Sequence, residues 1–362
     1  MSNRPLVSGI ITFLNAGRFI EEAIESVLAQ SHDNLELLLV DDGSIDDSTR
    51  IALRYAERFP EKVRYLEHEG HDNRGAAASR NLGLGQARGE YIALLDADDV
   101  WLPNKLEEQV AILEAHPEVA MVYGLSQYWH SWTKSPEDAH RDHVLKLGVQ
   151  TDTVFEPPAL STLLYPLGRG TAPCPSDLLL RRAAVERVGV FEEAFRGMYQ
   201  LYDDQTFLAK VYLNEPVYVA NRCWDRYRQH PDQCVAMVHE AGQYHAVRLA
   251  FLQWLAEYFY AQGVKDPEVW KILQEKQLQT SNRLQAKQSR ENNRQLRIRT
   301  TRIKELESSL ADQRRRARRL RKQKQSLMRE MQGLDRQLKD VRNSRIWRLT
   351  QRLGRIRAAL SR

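Results

Sequence analysis

The stretch "EYIALLDADDVWLP", residues 90–103, decides the fold class of this chain of 362 residues. An apolar run ends in three carboxylates within four positions, Asp96, Asp98 and Asp99, and a tryptophan and a proline follow. A short, nearly continuous apolar run of this kind is typical of a strand in a parallel sheet that is covered on both faces. Carboxylates this close repel one another unless a cation compensates them, so the strand end indicates a cation site.

Strands and helices alternate around this stretch over the first hundred residues. The predicted strands are "LVSGIITFL" (6–14), "LELLLVDDGS" (35–44) and "VRYLEH" (63–68), and the predicted helices are "GRFIEEAIESVLAQS" (17–31), "DDSTRIALRYAERF" (46–59) and "GAAASRNLGLGQA" (75–87). This order predicts an α/β fold with a mainly parallel sheet flanked by helices. Ligands of such sheets bind at the carboxyl ends of the strands, where both acidic turns, "VDDGS" and "LLDADD", are expected.

The charge is divided unevenly along the chain. Residues 271–362 carry 28 Lys+Arg and 8 Asp+Glu, a net charge of +20, whereas residues 1–270 carry 25 and 40, a net charge of −15. An acidic globular part therefore precedes a strongly basic segment. Such a segment suggests an anionic membrane surface, a nucleic acid or an acidic protein as partner.

The chain is predicted to have four parts: an α/β domain over residues 1–235, a helical extension over 236–300, a coiled coil over 301–341 and a basic amphipathic helix over 342–362. Asp266 and Pro267 mark a helix start within the extension. The coiled coil is indicated by twelve positions that step by three and four residues, ten of them apolar. They are Ile303, Leu306, Leu310, Gln313, Ala317, Leu320, Lys324, Leu327, Met331, Leu334, Leu338 and Val341. The seam is expected to join copies of the chain into a homo-oligomer; a long single helix folded back on the first domain is the alternative.

The last twenty residues, "NSRIWRLTQRLGRIRAALSR", combine an apolar stripe with arginines and contain no acidic residue. A basic amphipathic segment that carries a tryptophan is typical of a helix lying in a membrane interface. Arginines near an anionic leaflet contribute roughly 1 kcal/mol each to such binding. The alternative is a solvated helix that ends the coiled coil.

Three cysteines, Cys174, Cys223 and Cys234, are sparse and lack the spacing of metal ligands. A reduced, cytoplasmic setting is therefore expected. The first apolar run is short and interrupted, which favours a buried strand over a signal peptide, and no run has the length needed to span a bilayer.

The acidic turns point to a metal and a nucleotide. Hard carboxylate oxygens at a loop tip suit Mg²⁺ or Mn²⁺. Because Mg²⁺ takes only one or two protein carboxylates and completes its shell with water and phosphates, a nucleoside diphosphate is the natural third party. The alternative is a group of solvated loop acids that cap the helix beginning near Lys105.

Six segments, taken in order, resemble glycosyltransferase family 2, whose members have the GT-A fold. They are "VSGIITFLNAGRFIEEAIESVLAQS", "LLLVDDGSIDDS", "NRGAAASRNLGLGQARGEYIALLDADDVWLPNKLE", "RRAAVERVGVFEEAF", "YDDQTFLAKV" and "YRQHPD". Together they cover about residues 5–235. The order of so many motifs makes the resemblance specific, although no single one of them would.

The resemblance implies roles at the donor side of the site. Thr12 and Asp42 would contact the nucleoside, with Asn15 on the same first loop. Asp96 and Asp98 would form the DxD motif, in which Asp98 is the direct ligand of Mn²⁺ or Mg²⁺ and Asp96 supports the metal and the donor.

Further roles follow from the same resemblance. Arg80 would lie near the donor phosphates and sugar, and His230 on a loop that closes over the pyrophosphate or metal, with Arg226 and Arg228 assisting. Asp204 would be the general base. The family commonly has Glu-Asp where this chain has Asp203 and Asp204, which leaves open which acid takes the proton.

The resemblance therefore implies a metal-dependent, inverting enzyme that transfers a sugar from a nucleoside-diphosphate sugar to a hydroxyl of a glycan or lipid-linked acceptor. Cell-surface polysaccharide biosynthesis in the cytoplasm, at the inner face of the plasma membrane, is the expected setting, because the Trp-Arg-Leu-Thr run at residues 347–350 resembles the tails of bacterial polysaccharide transferases. The competing hypothesis is a non-catalytic scaffold or a nucleic-acid-binding protein with a basic coiled coil. The intact set of Asp42, Asp96, Asp98 and Asp204 argues against it, so nucleic acid is not an expected partner.

Overall fold

The computed structural model describes residues 4–360, in which ten strands form one sheet. The strands are β1 (Val7–Phe13), β2 (Leu35–Asp41), β3 (Val63–Glu67), β4 (Tyr91–Asp96), β5 (Val100–Trp101), β6 (Met121–Trp129), β7 (His143–Val144), β8 (Thr153–Phe155), β9 (Leu179–Arg181) and β10 (Val217–Arg228). Their order is β3-β2-β1-β4-β9-β6-β10-β5, while β7 pairs with β6 and β8 pairs with β10.

Twelve α-helices lie within the described residues. They are α1 (Ile20–Leu28), α2 (Ser48–Arg58), α3 (Ala76–Gln86), α4 (Lys105–Ala115), α5 (Pro136–Ala139), α6 (Ala159–Leu163), α7 (Arg182–Val188), α8 (Asp203–Asn214), α9 (Cys234–Glu240), α10 (Tyr244–Ala261), α11 (Pro267–Asn343) and α12 (Arg345–Leu360). Short 3-10 helices occupy Glu69–His71, Ser131–Thr133, Pro175–Asp177 and Gly197–Tyr202.

The first four strands in the sheet order, β3-β2-β1-β4, are all parallel, and β6 and β10 form a further parallel pair. β1 pairs in parallel with β2 and β4, and β2 pairs in parallel with β3. This register sets Thr12 opposite Asp96 at the carboxyl ends of β1 and β4. Beyond β4 the sheet is mixed, because β9 inserts antiparallel between β4 and β6. The predicted α/β architecture, a sheet flanked by helices, is confirmed.

The core has a layer on each face of the sheet. Ile10 and Ile11, adjacent on β1, belong to different hydrophobic clusters, as the alternation of side chains along a strand requires. Ile11 packs with α1, whose residues Ile20 and Ile24 recur at helical spacing and are fully buried. Ile10 belongs to the cluster on the other face, which includes Phe207 of α8.

The chain divides into two compact units, residues 1–285 and 286–362. In the first unit, the beginning of α11 packs against α10 through Val269 and Leu273. α11 begins at the predicted position, where an Asp266 carboxylate oxygen accepts a hydrogen bond from the Glu268 amide at 2.8 Å. The predicted division at residues 300 and 301 falls inside this helix, so the four-part division stays a prediction.

In the second unit the heptad side chains are exposed: Leu306 is 55% and Leu327 is 60% exposed. Ser344 separates α11 from α12, and its hydroxyl accepts a hydrogen bond from the Trp347 amide at 3.2 Å. A serine in this position caps the first turn of the new helix. None of the helices in the described residues is both long and apolar enough to cross a membrane.

Candidate active site

A cavity of about 1140 Å³ opens at the carboxyl ends of β1, β2 and β4. Every residue predicted for the donor, the metal or the base lines it: Thr12, Asn15, Asp42, Arg80, Asp96, Asp98, Asp204 and His230. Two other predicted residues, Arg226 and Arg228, line a neighbouring cavity instead. The fold therefore gathers residues that are up to 218 positions apart, Thr12 and His230, into one concave site.

The acidic tip after β4 is a turn, closed by a hydrogen bond of 3.0 Å from the Asp99 amide to the Asp96 carbonyl. Ser176 fixes this turn, because its hydroxyl donates to the Asp99 carboxylate at 2.5 Å and accepts from the Asp96 amide at 3.1 Å. Burial, and then the charge of Asp98, raise the pKa of the Asp99 carboxyl well above its usual range. Asp99 thus holds the turn in place, whereas Asp96 and Asp98 face the cavity.

His230 contacts the acidic tip directly. Its Nε2 lies 2.9 Å from an Asp98 carboxylate oxygen, and the Arg228 guanidinium donates to the Asp98 carbonyl at 2.5 Å. The His230 ring packs against Phe19, with ring centroids 4.8 Å apart, and is 5% exposed. Its Nδ1 is buried without a hydrogen-bond partner among the described residues. The loop after β10 is therefore held against the predicted metal site.

Arg80 joins the acidic tip to the start of α8. Its guanidinium donates to Asp96 at 2.8 Å and to Asp203 at 2.7 Å, and it stacks over the ring of Phe191. Burial disfavours this cation, but Asp203 and Asp96 outweigh that effect and raise the pKa of Arg80. Arg80 is thus a buried, permanently charged bridge between two elements of the site.

Asp203 and Asp204 open α8, but their surroundings differ. Both carboxylate oxygens of Asp203 have protein partners, one being Arg80 and the other the Asp204 amide at 2.6 Å. The Asp204 carboxylate is less buried, and within residues 4–360 it accepts hydrogen bonds only from Gln205, at 2.7 and 3.1 Å. Burial, and then the Asp203 charge, raise the pKa of Asp204 to about 7. Asp204 therefore has the proton affinity of a base that works near neutral pH.

Asp42 and Asn15 shape the loops at the other end of the cavity. The Asp42 carboxylate accepts hydrogen bonds from the Gly75 amide at 3.0 Å and from the Ser79 hydroxyl at 3.0 Å, which holds the start of α3. Asn15 has a left-handed backbone, with φ of 52°, and its side chain accepts from the Ile45 amide at 2.8 Å. Asp42 and the first loop, which carries Asn15, are thus ordered by local hydrogen bonds.

The chemistry of the donor set fits a divalent cation. Asp96 and Asp98 each have one carboxylate oxygen that has no hydrogen-bond partner in the part of the chain that the structure describes. Their side chains are 30% and 28% exposed, so both are accessible from the cavity. Two hard carboxylates with room for water and phosphate oxygens are the donor set that Mg²⁺ and Mn²⁺ prefer.

Comparison with known proteins agrees with this architecture. Residues 8–188, half of the chain, match the family described as Glycosyl transferase family 2. A Bacillus subtilis (strain 168) protein named "Putative glycosyltransferase EpsE" is 42% identical over 122 residues, which cover 34% of this chain and 43% of that protein. The chain spans less than two thirds of the length of the curated relatives that it matches.

Solved structures show the same fold. S. aureus TarS 1-349 in complex with UDP-GlcNAc aligns with a TM-score of 0.55 at 19% identity, over 76% of this chain and 72% of that chain. The mannosyltransferase PcManGT from Pyrobaculum calidifontis, in complex with GDP-Man and Mn²⁺, aligns with a TM-score of 0.50 at 23% identity, over 76% and 70% of the two chains. The GT-A fold expected from the sequence is confirmed.

Proposed function

We propose that this chain, which belongs to glycosyl transferase family 2, transfers a sugar from a nucleoside-diphosphate sugar to a hydroxyl of a glycan or glycolipid acceptor. One observation carries the proposal: a single cavity contains Asp42, Asp96, Asp98 and Asp204, with Arg80 joining two of the elements that bear them. The family and the names of its relatives support the same reaction class.

The donor is proposed to lie between the first loops and the acidic tip. Thr12, Asn15 and Asp42 would bind the nucleoside, and Arg80 would face the diphosphate and the sugar. Asp96 and Asp98 would hold Mn²⁺ or Mg²⁺, with Asp98 as the direct ligand. The bound metal would supply positive charge that stabilises the departing nucleoside diphosphate.

The acceptor hydroxyl is proposed to lose its proton to Asp204. Asp203 forms an ion pair with Arg80, so Asp204 is the carboxylate that remains available for proton transfer. The acceptor oxygen forms a bond to the anomeric carbon as the bond from that carbon to the diphosphate oxygen breaks. Direct attack opposite the leaving group inverts the configuration of the sugar.

The test measures nucleoside-diphosphate release from a panel of sugar nucleotides with Mn²⁺, after thermal-shift screening has identified a donor that stabilises the protein. We expect Asp98→Ala and Asp204→Asn to lower turnover at least about 100-fold, since a positioned base contributes 10²–10⁴. Asp47→Asn is the matched control, because Asp47 is exposed and lies outside the cavity.

Two results would contradict the proposal. One is equal turnover in Asp204→Asn and the control. The other is salt-sensitive binding of DNA or RNA with no turnover of any sugar nucleotide, which would favour the scaffold or nucleic-acid-binding alternative.

The exposed heptad stripe of α11 supports a homo-oligomer as a second part of the proposal. This seam has twelve heptad positions, ten of them apolar, and it costs free energy while it faces water. Pairing with another copy of the chain would bury it. Gln313 and Lys324 are the polar positions that would specify register or the number of chains.

The basic helix α12 supports a location at the inner face of the plasma membrane. Its apolar residues Ile346, Leu349 and Leu353 recur at helical spacing and are exposed, and arginines flank them. Such a helix binds an anionic membrane surface through both its apolar and its basic side chains. This location would hold the enzyme beside a lipid-linked acceptor for polysaccharide synthesis.

A further inference from the structure

A second cavity, of about 590 Å³, adjoins the candidate active site. The two cavities share Arg18 and Phe19, which precede α1. Side chains from the ends of β6 and β10, among them Trp129 and Arg226, form other parts of its wall. A group bound here would therefore be next to the site of sugar transfer.

The wall of this second cavity combines indole rings with guanidinium groups. The Arg228 guanidinium lies 4.4 Å from the ring centroid of Trp129 and 5.4 Å from that of Trp132. It also binds Glu22 at 2.7 Å, so its charge is neutralised within the protein. Arg18 lies 4.6 Å from the centroid of Trp132. Aromatic surface with a few oriented polar groups is the usual composition of a ligand site.

Three cations of this cavity have no acidic partner among residues 4–360: Arg18, Lys134 and Arg226. The Nε of Arg226 is buried without a hydrogen-bond acceptor among residues 4–360, and its guanidinium lies 5.3 Å from the ring centroid of Trp129. A buried donor without an acceptor costs free energy, and an acceptor oxygen of a bound ligand would remove that cost.

The two acids of the cavity offset only part of this charge, because they face four basic side chains. Glu22 is paired with Arg228. Asp142 accepts hydrogen bonds from the His130 amide at 2.7 Å and from the Ser131 amide and hydroxyl at 2.9 and 2.6 Å. The cavity thus has an excess of positive charge that a bound anion would neutralise.

We propose that the second cavity binds an oxyanion, a phosphate or a carboxylate, carried by the acceptor glycan. This inference rests on the proposed function, and it specifies the acceptor as an anionic one. The planar fork of an arginine matches the two oxygens of such a group, and the indole faces would contact the sugar that bears it. Because the two cavities share Arg18 and Phe19, an acceptor held here would extend into the candidate active site.

The test is a binding titration followed by saturation-transfer NMR with three probes: glucose 6-phosphate, methyl β-D-glucuronide and the neutral methyl β-D-glucoside. We expect at least one anionic probe to bind at least about tenfold more tightly than the neutral one, since hydrogen bonds to charged groups are the strong ones. Which anionic probe binds identifies the oxyanion. Arg226→Gln should abolish the preference and Arg226→Lys should retain part of it.

Arg222→Gln is the matched control, because Arg222 lies on the same strand but is exposed and outside both cavities. It should bind the probes like the wild type. Equal affinity for all three probes, or an unchanged preference in Arg226→Gln, would overturn the inference. So would displacement of the anionic probe by UDP or GDP with Mn²⁺, because the probe would then occupy the donor site. Binding is measured without turnover, so a failure of sugar transfer tests the proposed function separately.

Discussion

The Nε2 of His230 lies 2.9 Å from the carboxylate of Asp98, although 132 positions separate the two residues. This contact ties the loop after β10 to the acidic tip after β4. His230 therefore orients the Asp98 carboxylate through one oxygen and leaves the other oxygen open to the cavity.

The first prediction concerns this contact. His230→Asn should weaken the apparent affinity for Mn²⁺ and donor about tenfold, since it removes a positioned group next to the carboxylate. The measurement is the Mn²⁺ dependence of nucleoside-diphosphate release. His116→Asn, at the partly exposed end of α4, is the control. Unchanged Mn²⁺ dependence in His230→Asn would show that the loop has no role at the metal.

The second prediction concerns the buried bridge formed by Arg80. Arg80→Met leaves Asp96 and Asp203 without their common cation, and it should lower the free energy of unfolding by about 3 kcal/mol, as expected for breaking a buried ion pair. Arg80→Lys should lose less stability. Denaturant titration measures both variants, with the exposed Arg74→Met as control. If Arg80→Met matched the control, the bridge would contribute nothing to stability.

The third prediction is a pH dependence. Asp204 must be deprotonated to accept a proton, and its pKa is raised to about 7, so kcat/KM should rise with pH through about 7 and then level off. Asp203→Asn removes a charge that raises this pKa, and the acidic limb should therefore move to lower pH. A pH–rate profile of both proteins checks the shift. The assignment of Asp204 as base fails if the limb stays where it is in Asp203→Asn.

The fourth prediction concerns the heptad seam of α11. Leu327→Lys places a charge on the seam and should dissociate the oligomer, as measured by light scattering. Met328→Lys is an unusually close control, because the neighbouring Met328 is also apolar and 55% exposed but lies off the seam. Equal masses for the two variants would contradict an oligomer joined through this seam.

The fifth prediction concerns the basic C-terminal helix. The full chain should float with anionic liposomes in low salt, and removal of residues 342–362 should abolish flotation, since this segment carries the exposed apolar stripe and its arginines. Neutral liposomes are the control for charge. A truncated protein that floats equally well would exclude α12 as the membrane anchor.

The acidic turns of the candidate site have a local signal in the sequence, because Asp96 ends a buried apolar strand and Asp42 follows one. Asp204, the second residue of α8, is expected only from the resemblance of its motif to the family. The partners of these acids could not be predicted. Arg80 and Asp203 are 123 positions apart, and Ser176 is 80 positions from Asp96.

The pairing of Ser176 with Asp96 depends on β9, which inserts antiparallel between β4 and β6 and brings the preceding 3-10 helix next to the acidic tip. A strand of three residues gives too short a pattern to identify its neighbours. The second cavity could not be predicted either, because Trp129 and Trp132 lie in a stretch of sequence without clear periodicity. Their contacts with Arg228 and Arg18 form only when distant strands of the sheet pair.

The break at Ser344 has a geometric consequence for the end of the chain. The apolar row of α11 ends at Val341 and that of α12 begins at Ile346, five residues later, where the heptad would require four. In a continuous helix, one additional residue alone would rotate the next apolar row by about 100° around the axis. The break and the additional residue together take the apolar row of α12 out of the heptad register of α11, so the row of α11 can pair with a neighbouring helix while the row of α12 remains available to another surface.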